Sequence, residues 1–235
     1  MITKNKIQAR RAFTLIELLV VISIIGVLAT FTIVSVQAIA KNRKISTARG
    51  ELIQIESALE DYKAKYGTYP PGNNGNYAAP VYGSMLNQLY YELSGTTSSG
   101  GNFVTLDGSA QLNSSTIKVA DVSTAFKVGG FVNCTKGSGE EAATAKSFLP
   151  GLRLNQYSYP VNNNGIPTTI LVTSVGGPDD TYKPLSAVGI NPIRYQYPGT
   201  NNPNSYDLWV QLQISGKKYL VSNWSKSALV NTTYP

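Results

Sequence analysis

The apolar segment at residues 10–40 constrains the fold of this chain more than any other stretch. It reads RRAFTLIELLVVISIIGVLATFTIVSVQAIA, and from Phe13 onwards its one ionisable side chain is Glu17. Because a helix rises about 1.5 Å per residue, residues 13–40 are long enough to cross a hydrocarbon core of about 30 Å. The leader, residues 1–12, carries basic side chains and no acid. This charge bias predicts a cytoplasmic N-terminus and export of the rest of the chain.

A secretory signal peptide, a buried helix of a soluble domain and a plain membrane anchor are the alternatives to a functional helix in this segment. A buried helix of a soluble domain is disfavoured, because nothing polar interrupts residues 18–22. A signal peptide has an apolar core of only about 7–15 residues before its cleavage site. The run here is far longer, although Ala38-Ile39-Ala40 has the small-x-small pattern of such a site. A plain single-pass anchor has the right length. Glu17 argues against it, because a carboxylate near the membrane core is costly and usually marks a function.

The residues around the start of the apolar run resemble a known processing signal. A basic leader, a small residue, the sequence FTLIE at 13–17 and an apolar helix are similar to the signal of type IV pilins and type II secretion pseudopilins. The resemblance implies that a prepilin peptidase cuts between Ala12 and Phe13 and that the new amino terminus is methylated. Glu17 then becomes the fifth mature residue, where the family has its glutamate. Most members have glycine before the cut, so Ala12 is a departure from the pattern.

The role of Glu17 also follows from electrostatics. Cleavage leaves a charged amine on Phe13 in an apolar setting, where a partner carboxylate is strongly favoured. Glu17 is the candidate partner, either within its own helix or across a filament, where it meets the Phe13 amine of a neighbouring subunit and sets the axial register. The alternative is a glutamate that reaches out to the lipid headgroups. We expect Phe13 and Glu17 to act in assembly.

The helix is predicted to continue past the membrane, over residues 41–66. Beyond the basic residues at its outer edge, apolar side chains recur in steps of three and four, which makes one stripe. The stripe consists of Ile45, Ala48, Leu52, Ile55, Leu59, Tyr62 and Tyr66, and Glu51 lies off it. Gly67 suits the position just past a helix end, and Pro70 prevents continuation. Segment 41–66 is therefore the amphipathic half of one long helix.

Residues 67–235 are predicted to form an exported globular α+β domain. Ser84 is expected to cap a short helix that ends near Gly95, and residues 96–102 have the composition of a loop. Strands are predicted at 103–106 and 168–175. Residues 117–131 fit either a strand or a short helix, because periodicity does not decide between them.

The C-terminal part carries the clearest strand pattern. Apolar and polar residues alternate over 206–214, Ser215-Gly216 supplies a two-residue turn, and residues 217–224 return. This turn predicts Leu212 opposite Tyr219 and Val210 opposite Val221, on a buried face.

Two further blocks resemble the major pseudopilins: ALEDYKAKYGTYPPGNNG from residue 58, and RYQYPG from residue 194 followed by YDLW from residue 206. The resemblance covers residues 10–70 and 192–209 well and is weak between them. It implies a pilin-like α+β fold, in which the long N-terminal helix, half transmembrane and half amphipathic, packs on a small antiparallel β-sheet. Those relatives bind calcium in an acidic loop that follows the matching Trp209. Here residues 210–215 contain no acid and two lysines follow, so no metal site is predicted.

Composition removes several other classes of function. The chain has no histidine, which excludes a Ser-His triad and histidine-ligated zinc. Its single cysteine, Cys134, cannot form an internal disulfide and is expected to be a small buried residue. The net charge of +7 falls to about +3 without the leader, so nucleic-acid binding loses its main support. Glu140-Glu141 and Asp179-Asp180 are expected to be solvated turns, and no sequence motif for a cofactor is present.

We therefore expect a pseudopilin, a structural subunit of a type II secretion-like or type IV pilus-like filament, and not an enzyme. The resemblance implies three partners: a homo-oligomeric filament, a prepilin peptidase and an inner-membrane assembly machinery. It also implies storage as a single-pass protein of the bacterial inner membrane with a periplasmic C-terminal domain. Secretion pseudopilus, pilus and DNA-uptake device stay open as filament types. The alternative from another class is a membrane-anchored periplasmic enzyme or binding module.

Overall fold

The computed structural model describes residues 13–73, 80–108, 116–136, 144–175, 177, 184–185 and 189–231. Within these ranges the side chains of residues 31–37 and 80–81 are not described. The leader with Ala12 and the pairs Glu140-Glu141 and Asp179-Asp180 lie outside the described residues. The chain divides into two compact units, Met1–Arg43 and Lys44–Pro235.

Helix α1 is the longest element and runs from Leu15 to Tyr66 over 52 residues. The predicted C-terminal stop is confirmed: Gly67 has a φ of 77° and donates its N–H to the Lys63 carbonyl at 2.8 Å. Such a left-handed residue just past the helix satisfies a carbonyl that would otherwise lack a partner. Among the described residues, no helix has both the length and the apolar character needed to span a bilayer. The membrane segment 13–40 therefore stays a prediction.

The apolar stripe of α1 packs into the core of the second unit, as predicted. Ala48, Leu52, Ile55, Leu59 and Tyr62 are buried, and Ile45 and Tyr66 are partly buried against the same cluster. That cluster also holds the inward side chains of the C-terminal sheet. Glu51 is a departure, because it is buried although it lies off the stripe. Its carboxylate accepts hydrogen bonds from the hydroxyls of Thr173 and Ser174.

Two short helices follow, where the sequence suggested one capped by Ser84. Helix α2 is Pro80–Met85, helix α3 is Leu89–Ser94, and Ser84 lies inside α2. The break is made by Asn87, whose side chain accepts from the Leu89 N–H at 3.2 Å and donates to the Ser84 carbonyl at 2.8 Å. A short amide side chain of this kind competes with the helical backbone bonds. The predicted end of α3 at Gly95 is confirmed, with its N–H bonded to the Tyr91 carbonyl.

The first sheet is mixed, with the order β3-β2-β1-β4. Its strands are β1 Thr96–Ser99, β2 Asn102–Thr105, β3 Ile117–Lys118 and β4 Cys134–Thr135, and β1 pairs with β4 in parallel. The prediction of a loop at 96–102 is wrong, because Gly100 and Gly101, with φ of 58° and 79°, turn β1 into β2 as a hairpin. Residues 117–131 combine both predicted alternatives, since β3 leads through the 3₁₀ turn Val119–Asp121 into helix α4, Val122–Phe126.

The second sheet is antiparallel, with the order β10-β9-β8-β7. Its strands are β7 Arg194–Gln196, β8 Asp207–Ile214, β9 Lys217–Ser222 and β10 Ser225–Val230. The predicted hairpin is confirmed in register, with Leu212 opposite Tyr219 and Val210 opposite Val221. Strand β10 was not expected. Both faces of β8 are covered, because Trp209 and Gln211 are buried as well as the alternating apolar residues.

A small third sheet pairs β5, Val161–Asn163, with β6, Ile166–Thr168. The strand predicted at 168–175 is wrong: there, Leu171 and Val172 make only isolated bridges, to Tyr157 and Pro192. The expected small antiparallel sheet is confirmed in part: within the described ranges, the β7–β10 sheet is antiparallel, but a mixed sheet and a two-stranded sheet accompany it. The general α+β class is confirmed.

The two later blocks that resemble the major pseudopilins meet in space. The Tyr195 hydroxyl donates to the Pro70 carbonyl at 2.7 Å, and the rings of Tyr69 and Tyr206 lie 4.8 Å apart, edge to face. Gly72 approaches the backbone of Tyr197 so closely that a Cβ on Gly72 would lie 2.5 Å from its carbonyl oxygen. A glycine is therefore required where the chain leaves α1 and crosses the strand β7 region.

Candidate assembly site

The N-terminal end of α1 is closed by Thr14 and Glu17. The Glu17 carboxylate accepts from the Thr14 N–H at 2.9 Å and from the Thr14 hydroxyl at 2.7 Å. In return, the Glu17 N–H donates to the Thr14 hydroxyl oxygen at 3.3 Å. This reciprocal arrangement is a capping box, which satisfies two backbone N–H groups that the first helical turn leaves without partners. Thr14 is thus the cap and Glu17 the third helical residue.

The contact between Thr14 and Glu17 is a feature that the sequence reasoning missed. A Ser or Thr followed three residues later by Glu, just before an apolar run, is the sequence signature of a capping box, and TLIE at 14–17 has that form. Electrostatics alone suggests only one role for Glu17, as the partner of the Phe13 amine. In the structure its carboxylate is already bound by the residue next to Phe13.

The structure places the two predicted assembly residues at the start of α1. Phe13 directly precedes the cap and is 80% exposed, while Glu17 lies one turn further along. Ala12, the other predicted processing residue, lies outside the described residues. The roles of all three in processing and assembly therefore stay predictions.

The first part of α1 exposes apolar side chains on every side. Between residues 13 and 28, the large apolar side chains have 46–82% of their surface exposed. They are Phe13, Leu15, Ile16, Leu18, Leu19, Val20, Val21, Ile22, Ile24, Ile25, Val27 and Leu28. A helix that is apolar all round is found inside a membrane or in the core of a larger assembly.

The polar residues of this helix part are satisfied within the helix itself. The Ser23 hydroxyl donates to the Leu19 carbonyl at 2.7 Å, and the Thr30 hydroxyl donates to the Val27 carbonyl at 2.6 Å. Hydroxyls bonded in this way need no water, so they tolerate an apolar environment. Gly26 has no atom within 4 Å of the position of a Cβ, which leaves room there for another helix.

The buried carboxylates of the second unit serve the fold. Glu92 accepts from the Tyr62 hydroxyl at 3.0 Å and from the N–H groups of Val132 and Asn133 at 2.9 Å each. Burial raises the pKa of the Glu92 carboxyl, and the hydrogen bonds from Asn133 and Val132 oppose this shift. Asp207 accepts from the backbone N–H groups of residues 200–202. Each carboxylate accepts hydrogen bonds from its own chain, so both residues stabilise the fold by joining neighbouring segments.

Two other expected features can be compared with the structure. Cys134 is buried in β4, as predicted for a small buried residue. Across the described ranges, no three histidine, cysteine, aspartate or glutamate side chains are grouped so that they could hold a metal ion. Glu140-Glu141 and Asp179-Asp180 lie outside those ranges.

Comparison with known proteins agrees with this geometry. Residues 7–33 match the family described as "Prokaryotic N-terminal methylation motif". The chain is 36% identical to type II secretion system core protein G of Pseudomonas aeruginosa over 68 residues, which is 29% of this chain and 48% of that protein. It is 32% identical to fimbrial protein EcpC of Eikenella corrodens over 90 residues, 38% of this chain and 59% of that protein. The N-terminal part of this chain is thus similar to a type II secretion system core protein and to a fimbrial protein.

The likeness of this chain to its relatives is partial. It spans about half the length of the curated relatives it matches, including the core protein G of Escherichia coli, which is 36% identical over 66 residues and covered to 46%. No solved structure matches the chain. The relatives named here are a secretion-system core protein and a fimbrial protein.

Proposed function

We propose that this chain is a structural subunit of a type II secretion-like or type IV pilus-like filament, assembled through its N-terminal helix. The observation that carries this proposal is the exposed apolar surface of residues 13–28. A single chain leaves that surface uncovered, and water is an unfavourable surrounding for it. A bilayer removes this apolar surface from water before assembly. The helices of other subunits do so after assembly.

The organisation of the chain follows from this role. Residues 1–12 are the leader, 13–40 the membrane and filament-core helix, 41–66 its amphipathic continuation, and 67–235 the periplasmic domain. A prepilin peptidase cuts between Ala12 and Phe13, and the inner-membrane assembly machinery then extracts the subunit from the membrane. The match of residues 7–33 to the methylation motif and the names of the relatives support this sequence of events.

Glu17 is the residue that joins consecutive subunits in this proposal. The capping box holds its carboxylate at the N-terminal end of α1, against the Thr14 N–H. After cleavage, the free amine of Phe13 lies one residue before that N–H. The carboxylate is thus fixed at the end of the helix where an amine of its own or of a neighbouring subunit is available. A buried amine gains from such a partner, so the pair sets the axial position of an incoming subunit.

Three variants separate assembly from helix capping. Glu17→Ala removes both the cap and the partner of the amine, whereas Thr14→Val removes only the cap hydroxyl and keeps the size of the side chain. Ser23→Ala is the matched control, because it changes another polar side chain of the same helix part, one bonded to its own backbone. Filament yield is measured by shearing and electron microscopy, and the amount of membrane-held subunit by immunoblotting with limited proteolysis.

We expect Glu17→Ala to abolish filaments while the subunit stays in the membrane, resistant to protease. Thr14→Val should lower the yield only partly, and Ser23→Ala should leave it unchanged. Normal filaments from Glu17→Ala would show that the carboxylate is not an assembly device. Equal losses from Glu17→Ala and Thr14→Val would instead reduce its role to that of a helix cap.

A further inference from the structure

A surface cleft of about 380 Å³ lies within the second unit, between α1 and the turn that joins β9 to β10. On the α1 side it is lined by Arg49, Leu52, Ile53 and Glu56. On the other side it is lined by residues 222–226, which include Trp224 and Lys226. The volume lies within the range of about 300–1,000 Å³ that is usual for binding pockets.

Two polar side chains of the cleft hold donors without partners. Ser222 is only 1% exposed, and its hydroxyl has no hydrogen-bond partner among the described residues. Arg49 donates through Nη1 to the Ser225 carbonyl at 3.1 Å. Its other terminal nitrogen, Nη2, is buried and has no partner within the same described ranges. Because buried polar groups are nearly always paired, these two donors indicate a site for an acceptor that the described residues do not supply.

The charges that line the cleft indicate which acceptor fits. Lys226, an exposed lysine, lines the cleft together with Arg49, so two cationic side chains contribute to its lining. Glu56 is the single carboxylate of the lining and lies two helical turns from Arg49, so it offsets one of the two cations. A guanidinium, an ammonium and a hydroxyl together are donors that match the oxygens of a carboxylate.

We propose that this cleft binds the side-chain carboxylate of an aspartate or glutamate from a second copy of this chain. The proposal rests on the proposed function, because a filament brings identical subunits into contact. Ile53, 57% exposed, extends the cleft as an apolar surface, which suits a protein partner better than an enclosed small ligand. The chain offers suitable acids on its own surface, among them the exposed side chain of Asp61.

The test is carbodiimide coupling in filaments of the full-length chain. The reagent joins an ammonium and a carboxylate that are in contact, with loss of one water and no added spacer. We expect a covalent dimer on a denaturing gel, with Lys226 joined to an acidic residue of the other copy in the linked peptide. Ser222→Ala, which removes one oxygen, and Arg49→Gln should each lower the yield of this linked peptide several-fold. Lys226→Arg should abolish it, and Lys118→Arg, at an exposed lysine of β3, should leave it unchanged.

The outcomes separate this inference from the proposed function. Normal filaments in which Lys226 is linked to Glu56 of its own chain, or to no acid, would overturn the inference and leave the filament role standing. The same holds if Ser222→Ala and Arg49→Gln give as much linked peptide as the unmodified chain. Failure of the unmodified chain to form any filament would overturn both.

Discussion

Asp207 at the start of β8 is a buried carboxylate whose removal has a calculable effect. One oxygen, Oδ2, accepts from the N–H groups of Thr200 and Asn201 at 2.9 and 2.8 Å. The other, Oδ1, accepts from the Asn202 N–H at 3.0 Å. These bonds hold the loop 199–206 against the sheet. Because N–H donors occupy both carboxylate oxygens, we expect calcium not to stabilise this loop.

Asp207→Asn keeps only one acceptor oxygen. Its best orientation places that oxygen where Oδ2 lies and puts the amide nitrogen against the Asn202 N–H. The part-buried Asn202 N–H then loses its partner and faces a donor, which costs about 2 kcal/mol. For a unit of this size, 1 kcal/mol lowers Tm by about 2–4 °C, so the expected decrease is about 4–8 °C. Gly199→Ala strains the same loop, because its Cβ would lie 2.7 Å from Asp207 Oδ1.

The assay is thermal unfolding of the full chain in detergent, followed by circular dichroism. Asp61→Asn, at an exposed position, is the control and should change Tm by about 1 °C or less. The double variant with Gly199→Ala should lose less than the sum of the two single losses, since both act on one network. Full additivity, or an Asp207→Asn Tm equal to that of the control, would refute the reasoning. A rise of several degrees on adding calcium would show that the loop holds a metal after all.

Three other predictions concern processing, pH and packing. Ala12→Gly should be cut by a co-expressed prepilin peptidase at least as well as the natural chain, and a leucine at 12 should block cutting; equal mass shifts for both would remove the processing assignment. Burial raises the pKa of the Glu92 carboxyl above its ordinary value of 4.5. Protonated Glu92 therefore stabilises the folded chain at low pH, and this stabilisation is lost as the pH rises through the pKa of the folded state. In urea titrations, the unfolding free energy of the natural chain should therefore rise relative to that of Glu92→Gln as pH falls from 8 to 5, and a constant difference would contradict this sign. Leu59→Ala, at a fully buried position of the stripe, should cost about 2–5 kcal/mol in the same titrations, while Ile53→Ala, on the exposed face, should cost far less.

The elements that the sequence predicted well are those fixed by local chemistry. The end of α1 depends on Gly67, and the C-terminal hairpin depends on Ser215-Gly216, whose φ angles of 50° and 75° suit a two-residue turn. The stripe of α1 depends on a period that any long amphipathic helix shares. In each case the residues that decide the structure lie within a few positions of one another.

The elements that were predicted wrongly depend largely on contacts with residues far away in the sequence. Residues 96–99 form a strand because they pair with β2 and β4, and Thr96 also donates its hydroxyl to the Asn133 carbonyl at 3.1 Å. Strand β2 follows directly across the local turn at Gly100-Gly101, a signal that the prediction of a loop missed. Nothing in a Ser/Thr-rich stretch predicts the distant partners β4 and Asn133. The break between α2 and α3 depends on Asn87, which also bonds to the Ile193 carbonyl at 3.0 Å. The cleft at Arg49 likewise joins residues far apart in sequence, so only the folded chain reveals it.

The capping box is a different kind of omission. Its signature is present in the local sequence, but the charge on Phe13 by itself suggests only one role for Glu17. The two roles are compatible, because a carboxylate has two oxygens and the Thr14 contacts use one of them, Oε2. The structure thus adds a positioning partner for Glu17 to the predicted assembly residues.

The identity of the first residue in assembled subunits tests the central claim most directly. Filaments sheared from cells that express the full-length chain are purified, and the subunit is examined by intact mass and N-terminal sequencing. A chain that begins with methylated Phe13 is the predicted result, because in the proposed function the cut after Ala12 precedes assembly through the exposed apolar helix. A subunit that begins at Met1 would indicate a plain membrane anchor, and one that begins at residue 41 a released secretory protein. Either result would contradict the account.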